Sequence, residues 1–396
     1  MWSRNICRGL HRPRGVGGPG RRVLGAWRER TVWSRRYNRS LALLLVIASV
    51  ALGACTSDEG PEVAGATEQR DDAEQGAEPD AYGPSPGCGA DAAVSTGVSE
   101  NLLSTGDVER HYRLFVPSDY DGETPLPLVV SLHGLTMTSD MQAVATGFED
   151  LAERDGAVVV TPDGYGAVQF WNIIDHELAQ DDVAFIAELL EELEGTLCID
   201  TGRVYATGIS NGALMSGVLA CRLPESFAAI GSVAGIMTLP PCEDGEPVAV
   251  LAIHGTDDAI VPYEGGLSAS IEAFLHSTDL LGLEGGLDAQ AEAIPVLDEA
   301  LPPVEDAAAE WAEIDGCAPD PEESAVSEEV TLLNWGGCED NTEVSFYVVE
   351  GGGHTYPRGE SLEGFDWGLI EAFVGYTTTD IDSTELIWDF FAEHQR

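Results

Sequence analysis

A serine stands midway between two glycines in the segment GISNG (208–212), a pattern typical of a catalytic nucleophile. The segment follows the apolar run RVYAT (203–207) and precedes a helical pattern that begins at Ala213. A strained strand-to-helix turn of this kind exposes the serine hydroxyl, and glycines are needed because larger side chains would clash in it. The positive end of the following helix favours negative charge beside the hydroxyl. We therefore predict that Ser210 is a nucleophile.

A serine nucleophile needs a base and an acid that orients the base. His354 follows an apolar run and three glycines, so its loop can carry an imidazole to Ser210. Asp257 and Asp258 follow another apolar run, and the chain order serine, acid, histidine is the one this arrangement uses. The spacing leaves both aspartates open as the partner of the histidine. His254, at the end of the same apolar run, is expected to be a structural residue.

Two backbone N–H groups are expected to stabilise the oxyanion that forms when a serine attacks a carbonyl. One belongs to Asn211, directly after the nucleophile, and the other to Leu135, in the loop after His133-Gly134. Each such donor contributes about 3 kcal/mol to transition-state stabilisation. His133 itself is expected to brace the loop and to take no part in the chemistry.

Five short apolar runs end in glycine or a turn and alternate with helical patterns. Runs of this length, rich in valine and isoleucine, are typical of buried strands. Apolar residues recur at helical spacing over 182–193, and Ser383 is expected to cap a helix further on. This alternation predicts an α/β fold, a mostly parallel sheet flanked by helices, with the chemistry at the carboxyl ends of the strands. The runs are LPLVVSL (126–132), AVVVT (157–161), RVYAT (203–207), VAVLAI (248–253) and EVSFYVV (343–349).

The charge of the chain is strongly negative, with a formal value of −50 and no lysine. Eleven of the 19 arginines lie in the first 39 residues, so the remainder of the chain is more acidic still. Such a surface repels nucleic acid and anionic lipid and suits a neutral substrate. An adaptation to high salt is a further hypothesis. The acidic stretch 264–310 is either an insertion near the mouth of the site or a surface excursion.

The N-terminal part is predicted to be a targeting region. Arginines precede a short apolar run that ends in Leu-Gly-Ala before Cys55, as in a lipoprotein signal peptide, and an ordinary signal peptide is the alternative. We predict a signal peptide over 1–54, lipidation of Cys55, an acidic disordered tether over 55–87 and a catalytic domain over 88–396. The expected location is extracellular or in the cell envelope, with the chain lipid-anchored to a bacterial membrane.

Six further cysteines fit an exported protein with disulfide bonds. Fifteen pairings are possible from the sequence alone. The pairing we favour is local for four of them, Cys221 with Cys242 and Cys317 with Cys338, which leaves Cys88 with Cys198. No Cys-x-x-Cys pair occurs in the sequence, so we expect no zinc site.

These motifs together resemble the α/β-hydrolase serine esterases grouped as secreted poly(3-hydroxybutyrate) depolymerases and feruloyl esterases. The resemblance covers roughly residues 88–396. It implies a triad of Ser210, Asp258 and His354, and substrate-binding roles for Trp171 and Tyr356; a core position for Trp171 is the alternative. The matching stretches are LHG (132–134), PDG (162–164), FWN (170–172), DDVAFI (181–186), ATGISNGALMS (206–216), HGTDDAIVPY (254–263), GGGHTYP (351–357) and IWDFF (387–391).

The resemblance implies hydrolysis of carboxylic esters through an acyl-enzyme, with no metal or organic cofactor. The expected substrates are hydroxyalkanoate oligomers or polyester, or feruloyl and acetyl esters of plant polysaccharide. One alternative is a peptidase or another acyl transferase on the same fold, because a fold does not decide the leaving group. A second is a surface lipoprotein that binds polysaccharide without catalysis.

Overall fold

The computed structural model describes residues 82–90, 94–106, 108–166, 168–174, 180–238, 242, 247–266, 268–269, 301–358 and 374–396. All of them lie within one compact unit, Glu74–Arg396. The predicted signal peptide, the predicted lipidation site Cys55 and most of the stretch 264–310 lie outside the described residues. Among the described helices, none is both long and apolar enough to cross a membrane.

One mixed sheet forms the centre of the described structure. Its strands lie in the order β1-β2-β4-β3-β5-β6-β7-β10-β9-β8. The six strands from β4 to β10 in this order run parallel, and antiparallel strands extend the sheet at both edges. The strands are β1 (Gly97–Thr105), β2 (Val108–Val116), β3 (Leu126–Leu132), β4 (Val158–Pro162), β5 (Ile199–Ile209), β6 (Ala229–Val233), β7 (Ala249–Gly255), β8 (Glu322–Ala325), β9 (Val330–Trp335) and β10 (Val344–Val349).

Helices cover both faces of the sheet. Because side chains alternate along a strand, Leu128 and Val130 of β3 point into one core layer and Val129 points into the other. The first layer contains α3, α4 and α5, and the second contains α2 and α6. The helices are α1 (Ser139–Thr146), α2 (Phe148–Asp155), α3 (Asp182–Thr196), α4 (Asn211–Arg222), α5 (Val304–Ile314) and α6 (Ser383–Glu393), with 3₁₀ turns at Pro224–Ser226 and Glu339–Asn341. The predicted α/β-hydrolase fold is confirmed.

Two boundaries differ from those predicted. Asp382, and not Ser383, caps α6, because its carboxylate accepts the N–H groups of Thr384 and Glu385. The folded part of the chain also begins before the expected boundary near residue 88. Ser85 is buried, where its N–H donates to Ile199 O at 2.8 Å and its hydroxyl donates to a second carbonyl of the same region.

Three disulfide bonds join the six cysteines of the described domain. The pairs are Cys88–Cys198, Cys221–Cys242 and Cys317–Cys338, the pairing favoured from the sequence. The first pair ties the N-terminal segment to the start of β5. Disulfides persist in oxidising compartments, so these bonds fit an exported protein.

Candidate active site

Ser210 lies in the turn between β5 and α4, with φ 56° and ψ −122°. Positive φ is uncommon for a residue with a side chain, and such strain concentrates at functional sites. The backbone fixes the turn, because Ser210 N–H donates to Val233 O at 2.9 Å. A Cβ at Gly208 would lie 2.6 Å from Leu132 O, and one at Gly212 would lie 2.2 Å from the same atom. Both glycines are therefore required by the close packing of the turn against the end of β3.

His354 and Asp258 form a direct hydrogen bond, with 2.7 Å between Nδ1 and Oδ2. They follow the neighbouring parallel strands β10 and β7, so both loops reach the same edge of the sheet as Ser210. Close contact between the loops requires glycine, because a Cβ at Gly255 would lie 2.1 Å from Gly352 O. Asp257 is exposed, so of the two aspartates that spacing leaves open, Asp258 is the one that meets the histidine.

The carboxylate of Asp258 is buried and well supplied with donors. Its Oδ1 accepts the N–H groups of Ile260 at 2.8 Å and Val261 at 2.9 Å. Burial alone would raise the pKa of Asp258, but hydrogen bonds and charge interactions with His254 and His354 outweigh it and hold the pKa below its usual range. Asp258 is therefore ionised throughout the neutral range and can stabilise a charged imidazole.

The loop after β3 brings Leu135 beside the nucleophile. A Cβ at Gly134 would lie 3.5 Å from Ser210 Cβ. The neighbours of Leu135 are tied down, because Thr136 N–H donates to Gln169 O at 2.9 Å and Met137 N–H donates to Gly134 O at 3.0 Å. Thr136 has φ 70°, which turns the chain sharply at this point. The backbone on the C-terminal side of Leu135 is thus held in place close to the serine turn, and the role of Leu135 N–H and Asn211 N–H as oxyanion donors stays a prediction.

His133 braces this loop from behind. Its Nδ1 bonds to Gly134 O at 2.8 Å, and its Nε2 accepts the N–H of Gly164 at 2.8 Å. The two bonds define a neutral ring with its proton on Nδ1. Burial lowers the pKa of His133, which keeps the ring neutral.

Trp171 lies in the core and does not face the substrate side. It is 0% exposed, and its indole N–H donates to His133 O at 2.9 Å. The side chain of Asn211 clamps its backbone, accepting Trp171 N–H at 2.6 Å and donating to Trp171 O at 3.1 Å. This burial favours the core position, which the sequence left open beside the substrate-binding one. Trp171 links the two predicted oxyanion donors through the loop of His133 and the side chain of Asn211.

Tyr356 is also placed differently from the expected substrate-binding position. It is buried in the second core layer, and its hydroxyl bonds to Thr384 Oγ1 of α6 at 3.2 Å. Burial raises the pKa of Tyr356 well above its usual value. Its position explains how the loop after His354 is anchored to α6, and it is a support of the loop.

A buried ion pair that the sequence analysis does not single out supports the segment of Trp171. Arg110 Nη1 lies 2.8 Å from Asp182 Oδ1, and both side chains are almost fully buried. Asp182 Oδ2 also accepts the N–H of Asn172 at 2.7 Å, and Arg110 donates to Asp163 O. The sequence does contain a signal for this ion pair. Arginine is scarce after residue 39, so Arg110, an arginine within a strand, stands out.

Comparison with known proteins finds a family model that matches the central part of the chain. The model of the family described as esterase PHB depolymerase matches residues 110–242. This segment contains the loop after β3, the Trp171 segment and the serine turn, and the match confirms the resemblance stated from the sequence.

The relatives found among known proteins include feruloyl esterases. A probable feruloyl esterase C of Aspergillus niger is 34% identical over 190 residues, which is 46% of this chain and 65% of that protein. Feruloyl esterase B of Piromyces equi is 26% identical over 264 residues, 65% of this chain and 44% of that protein. The chain thus spans less than two thirds of the length of either relative. The structure of an acetyl xylan esterase from Aspergillus awamori has a TM-score of 0.49 and 16% identity, covering 74% of this chain and 99% of that one.

Proposed function

We propose that the chain is an exported carboxylic ester hydrolase in which Ser210, His354 and Asp258 form a catalytic triad. The observation that carries the proposal is the pairing of a strained serine turn with a buried histidine–aspartate pair at one edge of a parallel sheet. The 2.7 Å bond fixes the imidazole so that Nε2 is free to act on the serine. The feruloyl esterase relatives support the same chemistry.

The mechanism follows from these positions. His354 Nε2 takes the proton of Ser210 while Oγ attacks the ester carbonyl, and the N–H groups of Asn211 and Leu135 stabilise the oxyanion. The tetrahedral intermediate collapses, the C–O bond to the alcohol breaks, and His354 gives its proton to the departing alcohol. Water, deprotonated by His354, then attacks the acyl-enzyme, and Ser210 leaves with a proton to complete the cycle.

The substrate class that we propose is a neutral ester of a hydroxycinnamic or short acyl group on plant polysaccharide, with hydroxyalkanoate oligomers as the second class. The feruloyl esterase relatives favour the first class, and the name of the matched family favours the second. The acidic surface agrees best with the first class, because an ester of a neutral sugar is uncharged before cleavage, whereas a hydroxyalkanoate oligomer carries a terminal carboxylate.

We further propose that the protein acts outside the cytoplasm. The disulfide bonds support this location, since they require an oxidising compartment. The signal peptide and the lipid anchor on Cys55 remain predictions from the sequence. Mass spectrometry of the membrane fraction from a bacterial expression host, with and without Cys55→Ser, tests the anchor: the parent should carry a diacylglycerol mass that the variant lacks.

A panel of esters tests the proposed activity. It contains p-nitrophenyl acetate and butyrate, methyl ferulate, 3-hydroxybutyrate oligomers and a matched amide, at low and high salt. The parent should cleave esters and leave the amide intact, and Ser210→Ala should lower kcat/KM by several orders of magnitude. Folded parent protein that cleaves nothing at either salt would reject the esterase proposal, and preferential cleavage of the amide would favour a peptidase.

A further inference from the structure

The carboxylate of Asp258 lies between two histidines. His354 Nδ1 is 2.7 Å from Oδ2, and His254 Nε2 is 3.3 Å from the same oxygen. The side chains of Asp258 and His254 are 0% and 1% exposed, so bulk water does not mediate between them. His254 is the penultimate residue of β7 and is paired in register with Val348 of β10, the strand that leads to His354. The two imidazoles therefore approach one carboxylate oxygen from neighbouring strands.

The hydrogen bonds of His254 define its tautomer. Its Nε2 lies 2.9 Å from Val261 O, a carbonyl that can only accept, so the ring proton is on Nε2. Its Nδ1 is buried and has no hydrogen-bond partner among the described residues. A proton on Nδ1 would thus have no acceptor in that part of the chain. The ring is arranged as a neutral donor whose N–H bonds to Val261 O, with Asp258 Oδ2 3.3 Å from the same nitrogen.

We propose that His254 is a positioning residue for the triad, which holds Asp258 through a shared N–H and sets how much of the carboxylate charge faces His354. This inference rests on the proposed function, since it concerns the same site. Val261 takes part twice, because its N–H donates to Asp258 Oδ1 while its carbonyl accepts from His254. His254 therefore closes the turn that carries Asp258.

The N–H of His254 is expected to make the imidazole of His354 harder to protonate. A second N–H at Oδ2 withdraws part of the negative charge that would otherwise stabilise the imidazolium of His354. Replacing that donor by an apolar ring should leave more charge for His354 and make its imidazole easier to protonate. The acid limb of the activity profile would then move to higher pH.

Few other titratable groups face the His254 ring among the described residues. Besides Asp258, Tyr263 contacts its edge, with 6.2 Å between ring centroids and a 64° angle between planes. The hydroxyl of Tyr263 points to Glu305 of α5 at 2.7 Å. The pKa of Tyr263 is raised by burial and by this glutamate, so the phenol stays neutral. Tyr263 therefore adds no charge beside His254 or Asp258.

NMR of the folded protein tests the inference without any turnover. The sample is the Ser210→Ala protein with ¹⁵N-labelled histidine side chains. At neutral pH, His254 should show the neutral tautomer with the proton on Nε2, the nitrogen that bonds to Val261 O. A proton on Nδ1 of His254, or a His254 ring that is charged at neutral pH, would overturn the proposal, and this measurement needs no change at His254.

Two substitutions at His254 separate positioning from packing. His254→Phe keeps the ring volume and removes the donor, and we expect the titration midpoint of His354 to rise by about 0.5 pH unit. His254→Gln places an amide N–H where Nε2 stands and should restore the midpoint to within about 0.2 pH unit of the parent. The matched control is His394→Gln, another buried histidine, whose Nδ1 bonds to Phe390 O of α6. The control should leave the midpoint unchanged.

The same His254 substitutions, made in the protein that retains Ser210, allow the pH dependence of ester hydrolysis to be measured as well. The acid limb of kcat/KM on the best ester should shift in His254→Phe by the same amount as the NMR midpoint. An unshifted midpoint in folded His254→Phe would overturn the inference. Absence of ester hydrolysis together with the NMR shift would reject the proposed function and leave the coupling of His254 to Asp258 standing.

Discussion

At the scale of single residues, the structure distinguishes two adjacent aspartates that are chemically identical. Asp258 is buried against His354, and Asp257 is exposed. We predict that Asp258→Asn lowers kcat by about 10³–10⁴-fold, because an amide favours the wrong imidazole tautomer and cannot stabilise the imidazolium. Asp257→Asn should stay within about twofold of the parent. A loss in Asp257→Asn as large as that in Asp258→Asn would contradict the assignment of the acid.

A second residue carries a prediction about stability. Asp315 is fully buried at the end of α5, and burial raises its pKa to about 7 although the N–H of Val248 donates to it. An unfolded aspartate has a pKa of about 3.9. The folded state thus holds a proton that the unfolded state has lost, and the stability contributed by this group is lost as pH rises towards 7. The free energy of unfolding should therefore fall over this range.

Asp315→Asn removes this titration while keeping a side-chain acceptor for Val248. Relative to the parent, its free energy of unfolding should rise by about 2 kcal/mol between pH 5.5 and pH 8.5, measured by urea denaturation. Asp320→Asn is the matched control, because Asp320 is exposed and lies in the same region. Its difference from the parent should not vary with pH. Parallel stability curves for Asp315→Asn and the parent would refute the prediction.

At the scale of elements, the serine turn depends on the contact between β3 and α4. A Cβ at Gly212 would lie 2.2 Å from Leu132 O, a backbone atom in the middle of the sheet that cannot move aside. We predict that Gly212→Ala lowers the free energy of unfolding by at least about 2 kcal/mol and lowers kcat/KM more than 100-fold. Thermal unfolding and the ester assay measure these effects.

The control for this substitution is another helical glycine. Gly195 lies in α3, and no atom lies within 4 Å of a Cβ added there. Gly195→Ala should stabilise the protein by about 0.5–1 kcal/mol, because alanine loses less conformational entropy in a helix, and should leave activity unchanged. If both substitutions proved neutral, the close packing at the serine turn would not be the reason for its glycine.

The elements that the sequence predicts well are those with continuous apolar runs. β3 coincides with its run at 126–132, and β7 and β10 begin within one residue of theirs. β1 alternates between half-buried and exposed residues, and this edge strand has no apolar run to mark it. β6 is short and contains Gly231, which a sequence pattern reads as a break; it is needed because a Cβ there would lie 2.7 Å from Ile387.

The residues of the site also fall into two groups: those that a local sequence pattern identifies, and those whose role depends on contacts between distant parts of the chain. Ser210 and His354 stand out because each follows a strand and lies in a glycine-rich turn. The choice of Asp258 and the burial of Trp171 depend on side-chain contacts across the fold, such as the bond between Trp171 and Asn211. Residues 40 positions apart meet there, and no local periodicity encodes such a meeting.

At the scale of the whole molecule, the negative charge bears on turnover. An ester of a neutral sugar is uncharged, whereas the acid released by its hydrolysis is an anion at neutral pH. A chain with a formal charge of −50 therefore admits such a substrate without repulsion and repels the acid product. The sugar product remains neutral and is not affected.

The same charge predicts that salt stabilises the fold. With no lysine and a sequence pI near 4.1, the folded chain brings many like charges together, and screening relieves their repulsion. We expect Tm to rise by about 5–10 °C between 0.02 and 0.5 M NaCl at pH 7.5, measured by differential scanning calorimetry.

Two controls identify the cause of such a rise in Tm. Choline chloride at the same concentrations should raise Tm as much as NaCl if screening is the cause, whereas a larger rise with NaCl would indicate that carboxylates bind sodium. Sucrose at matched osmolality separates screening from solvent exclusion, because it leaves the charges unscreened and should give a smaller rise at these concentrations. A Tm that does not change with salt would show that the carboxylates are too far apart to repel one another, and the hypothesis of salt adaptation would then be abandoned.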